Sequence, residues 1–174
     1  MRRLHRLLLL LTRAGALAAA ASIGILSVMM VAEVLLNAVF RVSQPWATEY
    51  SAYLLCAGLF AGSGWALTEG AHIRVTLLSD ALPPRVERLL GCATALIALA
   101  IALYAAVALT EYALRSIARA STSMYPSRTP LGWPQMALAA SFWLLGAGIL
   151  ARLLELAGLA GADRLPVRSL PAEA

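Results

Sequence analysis

The segment LLGCATALIALAIALYAAVALT, Leu89 to Thr110, decides the fold, because its 22 residues carry no charge between Arg88 and Glu111. At about 1.5 Å of rise per helical residue, such a run crosses a hydrocarbon layer roughly 30 Å thick. Lipid offers the backbone no hydrogen-bonding partner, so the run must satisfy its own amides and form a helix. Working outward, three further stretches have the same character. Ala14 to Ala32 is charge-free, and its apolar character continues past Glu33 to Phe40. Tyr50 to Thr68 lies between Glu49 and Glu69, and Thr129 to Ala151 lies between Arg128 and Arg152. The expected architecture is an all-α integral membrane domain over residues 1–157. Its four spans fall at about 14–40, 46–68, 86–114 and 133–155.

Composition agrees: of 174 residues, 61% are hydrophobic and 13% charged. Those values exclude an ordinary water-soluble domain as well as a disordered chain. The net charge of +5 comes from arginine alone, and its distribution speaks for membrane topology, with no call for nucleic acid. Arg2, Arg3, Arg6, Arg13, Arg74, Arg85, Arg88, Arg152, Arg164 and Arg168 fall on one side of the four-span layout. Only Arg41, Arg115, Arg119 and Arg128 fall on the other. The positive-inside rule then puts both termini in the cytoplasm. Trp46 and Trp133 stand at the opposite ends of their spans, where an aromatic belt is expected. The basic, leucine-rich start imitates a secretory leader, but Arg13 interrupts it and a span-sized run follows, so cleavage is not expected.

Between the second and third spans, Ile73, Leu77, Leu78 and Leu82 share one side of a helix over about 71–82, which predicts a short amphipathic interfacial helix ended by Pro83 and Pro84. On the other side, Glu111 and Arg115 at i, i+4 support a third helix continuing through Arg119. Residues 158–174 turn to Gly, Pro and Arg and read as a disordered cytoplasmic tail.

Chemistry is hard to place. The histidines, His5 and His72, lie outside the expected spans, and Cys56 and Cys92 are far apart, so neither haem ligation nor a metal-ligand spacing is offered. No catalytic, cofactor-binding or metal-binding residue is expected. Glu33 is the one ionisable group well inside an apolar stretch, in a stripe with Asn37 and Arg41 at i, i+4 and i+8. An intramembrane acid of this kind is either a coupling site or a brace. Its position towards the span's end favours a brace reaching Arg41. Gly58, Gly62 and Ala66 form a small-residue face that lets another helix approach closely.

The sequence Trp46-Ala47-Thr48-Glu49-Tyr50-Ser51, the glycines from Gly58 to Gly64, and the exit Glu69-Gly70-Ala71-His72-Ile73-Arg74-Val75 together resemble the small membrane subunit, DctQ type, of tripartite ATP-independent periplasmic (TRAP) transporters. Thr129, Pro130, Trp133 and Pro134 at the last span's start are similar to a later element of that pattern. Thr48 stands where many members carry a second acid, and Thr76 where an aspartate is frequent. The resemblance implies a non-catalytic subunit in the bacterial inner membrane, partnered by a large many-span subunit, a periplasmic solute-binding protein and lipid. It further implies sodium-coupled uptake of organic acids, with the small subunit bracing the scaffold of an elevator-type partner. Trp46, Glu49, Glu69, His72 and Arg74 then join Glu33, Asn37, Arg41, Gly58 and Gly62 as structural or interface candidates. Two other readings stay open: an autonomous small exporter using Glu33, and the membrane anchor of a redox enzyme.

Overall fold

The computed structural model describes residues 2–69 and 83–159. They form four helices: α1 (Arg2–Phe40), α2 (Ala47–Thr68), α3 (Pro84–Ala118) and α4 (Gly132–Leu156). Each is long and apolar enough to cross a membrane. The expected interfacial helix at about 71–82, together with His72 and Arg74, lies outside the described residues, as does the tail beyond Leu159.

The layers follow from which helices touch. α4 packs against all three others, α1 and α2 pack on each other, and α3 lies against α4. The distribution of side chains is inverted relative to a water-soluble bundle. Ala19, Ala61, Ala102, Ala106, Ala113, Ala139 and Ala151 are buried, while Leu17, Val28, Leu89, Ile101 and many other large residues are exposed. Lipid tails are as apolar as leucine, so only close contact of small residues favours helix association, and the large side chains face outward.

α1 is longer than its expected span, beginning at Arg2 and running 39 residues, or about 58 Å. Its inward face explains the extension. His5, Leu8, Thr12, Gly15 and Ala19 are buried, and Ser22, Leu26, Met29 and Glu33 continue the same 3-4 spacing half-buried. A repeat of 3.5 residues keeps one stripe facing its neighbours over the whole contact. Beyond Glu33 the stripe ends, and every residue from Val34 to Ser43 is exposed.

In the α2–α4 contact backbone meets backbone from both sides. A Cβ on Gly148 would stand 2.5 Å from the Gly64 carbonyl oxygen, and one on Gly64 would stand 2.6 Å from the Leu144 carbonyl oxygen. Phe60 and Phe142 stack beside this contact with ring centroids 5.2 Å apart.

Helix ends are closed by local means. Pro84 occupies the first turn of α3, where a missing amide costs nothing. α4 ends with Gly158 at φ 74, while the Gly158 and Leu159 amides donate to the Glu155 and Leu154 carbonyls. α3 ends on the same motif: the Ala120 and Ser121 amides donate to the Ile117 and Ser116 carbonyls, but alanine holds the left-handed position at φ 49. A left-handed residue with a Cβ is strained by roughly 1–2 kcal/mol. Ala120→Gly should therefore stabilise the chain by about 1 kcal/mol once the glycine's extra unfolded-state freedom is discounted. Thermal unfolding in detergent checks this, and a lowered midpoint would show that the left-handed turn carries no strain.

Candidate functional site

Polar side chains gather at both ends of the bundle. At the end where α1 joins α2 and α3 joins α4, the loop end, Glu49 in the first turn of α2 is only 2% exposed. A buried carboxylate is costly unless hydrogen bonds replace its water. Here Tyr53, one turn along α2, donates its hydroxyl to Glu49 Oε1 at 2.6 Å. Ser127, from the α3–α4 loop, donates to Glu49 Oε2. Thr129 of the same loop donates its hydroxyl to the Tyr50 hydroxyl at 3.4 Å.

That loop is pre-folded to present these groups. Thr122 and Pro130 form an antiparallel bridge, with the Ser123 amide bonded to the Thr129 carbonyl at 2.9 Å and the Leu131 amide to the Ser121 carbonyl at 3.0 Å. Ser123 Oγ accepts from the Tyr125 amide, and a turn closes when the Arg128 amide donates to the Tyr125 carbonyl. Serine hydroxyls that bond the backbone two residues on are a standard way of fixing such turns. Among the described residues Glu49 has no cationic partner, so the Tyr53 and Ser127 hydroxyls replace its water. The arrangement ties the start of α2 to the connection between α3 and α4.

Glu33 plays a related part at the same end. Its Oε1 accepts from Ser43 Oγ at 2.8 Å and from the Gln44 amide at 2.9 Å. The expected partner was Arg41, and the structure corrects this. Arg41 takes a left-handed φ of 53 just past the end of α1, which turns the chain back so that Ser43 and Gln44, and not the guanidinium, reach the carboxylate. Asn37 and Arg41 instead line a shallow open groove with Val34 and Ala38. Trp46 stands at the start of α2 and meets Tyr50 edge-to-face, centroids 6.0 Å apart.

Gly58 and Gly62 both face α1: Gly58 lies against Ile23 and Gly62 against the Ala19 methyl. Glu69 is exposed at the end of α2.

At the opposite end, His5 Nε2 lies 3.3 Å from Glu155 Oε1, and Arg152 donates to Glu155 Oε2 at 2.8 Å. Arg88 Nε donates to the Leu156 carbonyl at 2.6 Å, a cation on the free carbonyls of a helix C-terminus. These contacts join α1, α3 and α4. Sequence reasoning missed His5 and Glu155, as it missed the Ser127 and Tyr53 partners of Glu49. A heptad count backward from Gly15 would have placed His5 on the buried stripe.

Among the described residues no three His, Cys, Asp or Glu side chains gather as a metal set. The polar groups are instead spent on ties between helices and loops.

Four membrane-length helices, an apolar exterior and inward-tied polar groups define a multi-pass membrane protein. Over residues 26–158 the sequence matches the tripartite ATP-independent periplasmic transporters, DctQ component, and the chain belongs to this family. It is thus a transporter component and not an enzyme. Comparison with curated proteins finds no significant match.

Proposed function

We propose that the chain is the small permease subunit of a sodium-coupled, binding-protein-dependent importer of organic acids. It sits in the bacterial inner membrane with both termini cytoplasmic and braces the scaffold of a large, many-span elevator-type subunit. A periplasmic solute-binding protein delivers the solute to this pair. In this reading, the interfacial helix at about 71–82 and the Glu69, His72 and Arg74 junction secure the cytoplasmic end.

The observation that carries the bracing role is the use of two loop-end acids, Glu33 half-buried and Glu49 buried. Glu33 is held by Ser43 and Gln44 of the α1–α2 connection, and Glu49 by Ser127 of the α3–α4 loop and by Tyr53 of its own helix. A coupling carboxylate must exchange its ligands during a cycle, whereas a carboxylate fastened at the joints of a bundle stiffens it. Stiffness is what a fixed scaffold requires when another domain slides past it.

The isolated chain, reconstituted into vesicles, should move no solute under a sodium gradient, while the complete three-component system should take up an organic acid. Solute movement by the isolated chain would favour the exporter reading. Reporter fusions at Ala174 and near Ser123 should report opposite sides of the membrane, and a shared side would overturn the topology.

A further inference from the structure

At the end of the bundle where α1 starts, arginines outnumber acids. Among the described residues, Arg2, Arg3, Arg6, Arg13, Arg85, Arg88 and Arg152 gather there with only Glu69, Glu87 and Glu155. Glu155 is engaged by His5 and Arg152, and Arg88 by the Leu156 carbonyl. Arg13 stands apart from this network. Among the described residues it makes neither an ion pair nor a hydrogen bond.

Its depth makes that isolation costly. α1 and α2 run antiparallel, with a Cβ on Gly15 standing 2.6 Å from the Ala61 carbonyl oxygen and one on Gly62 standing 3.2 Å from the Ala19 methyl. Counting back along α1 from these contacts puts Arg13 level with the last two turns of α2, where Trp65 is 38% exposed. An exposed tryptophan at that level marks the inner aromatic belt, the boundary between hydrocarbon and headgroups. Arg13 therefore leaves α1 at the edge of the hydrocarbon and not in open water.

It also leaves on the lipid side. The buried stripe runs from His5 through Thr12 to Ala19, whereas Arg3, Leu10, Arg13 and Leu17 lie exposed along another flank. Leu10 is 60% and Leu17 73% exposed, one turn to either side of Arg13. A cation between two lipid-facing leucines, with no carboxylate beside it, extends its flexible stem outward to the nearest anions, the lipid phosphates. A guanidinium meets a phosphate through two parallel N–H donors, a geometry that a point charge lacks.

We infer that Arg13 holds the headgroup of an anionic phospholipid of the phosphatidylglycerol kind, its acyl chain running inward over Leu17, with Arg3 adding charge further out on the same flank. The excess of arginine at this end, seven against three acids, favours a lipid of net negative charge over a zwitterionic one. In the proposed topology this lipid lies in the cytoplasmic leaflet. Such a site needs only the four-span fold and is independent of the transport role.

The test takes the full chain in nanodiscs of phosphatidylglycerol and phosphatidylcholine in equal amounts and with identical acyl chains. Native mass spectrometry after release counts the lipids that each chain keeps. Wild type should keep phosphatidylglycerol in preference. Arg13→Gln should lower that preference roughly fivefold, the worth of one arginine at an anionic surface, while retained phosphatidylcholine stays as in wild type and so reports an intact bundle. Arg13→Lys should fall between the two, because it keeps the charge and loses the fork. Arg119→Gln, at the other end of the bundle, should match wild type. Equal retention of the two lipids by wild type, or an unchanged preference in Arg13→Gln, would overturn the inference. Parallel loss of both lipids from Arg13→Gln would make Arg13 a structural residue and overturn it as well. Displacement of phosphatidylglycerol by inorganic phosphate would reduce the site to a bare anion contact. In the complete complex, loss of the large subunit from Arg13→Gln at unchanged lipid retention would assign the flank to that subunit instead.

Discussion

Gly148→Leu should abolish the folded bundle, and Gly148→Ala alone should destabilise it by about 3 kcal/mol, the upper end of the usual range for overpacking. The reason lies in what the new Cβ would meet. At 2.5 Å from the Gly64 carbonyl oxygen and 2.9 Å from Gly64 Cα, it collides with backbone, which cannot rotate away as a side chain would. Relief requires α2 and α4 to separate. Separation would also loosen the fit of Gly64 to Leu144 and the Phe60–Phe142 stack, because all three lie along the same contact. As α4 is the helix that touches every other, the damage is not confined to one pair.

Gly146→Ala supplies the control. It lies two residues away on the same helix, and its Cβ would stand 3.5 Å from a Leu103 methyl, an ordinary contact. Thermal unfolding of the purified chain in detergent, together with recovery of the large subunit on co-purification, reads the difference. Gly148→Ala as stable as Gly146→Ala would mean that the helices are farther apart than described.

The four helices were legible because membrane length is a one-dimensional property: a charge-free run of about 20 residues can be counted. Their contacts were less so. Gly58 and Gly62 stood out by their four-residue spacing, and they pack on the Ile23 side chain and the Ala19 methyl of α1. The harder contact uses Gly64 and Gly148, which are 84 positions apart, and no local spacing announces that pair. Glu33 illustrates a different failure. The i, i+8 relation to Arg41 assumes a continuous helix, but the left-handed turn at Arg41 breaks that geometry and brings Ser43 and Gln44 to the carboxylate. His5 lies outside the span expected at about 14–40, but α1 extends back to Arg2 and carries His5 onto the buried stripe.

Glu49→Ala is expected to be the most damaging single polar truncation, on the order of 3 kcal/mol, since it removes charge-assisted hydrogen bonds at a buried position and leaves the Tyr53 and Ser127 hydroxyls without their acceptor. Glu49 was visible in the sequence as the acid at the start of the second span, but its partners were not. Ser127 lies 78 positions away and Tyr53 one turn away, and only the folded α3–α4 loop brings both to one carboxylate. Glu49→Gln should be milder. Its amide oxygen still accepts from one hydroxyl, and hydroxyls can rotate to accept from the amide nitrogen, so shape is kept while the charge is lost. Exchange of backbone amides in residues 121–131 should rise strongly in the alanine variant and modestly in the glutamine variant, because the carboxylate is what fastens this loop to α2. In the complete transporter, uptake should fall with the amount of assembled complex, while the sodium concentration giving half-maximal uptake should stay as in wild type. A shift in that sodium dependence with assembly intact would mean that Glu49 takes part in coupling and that its hydroxyl cage is not simply a joint.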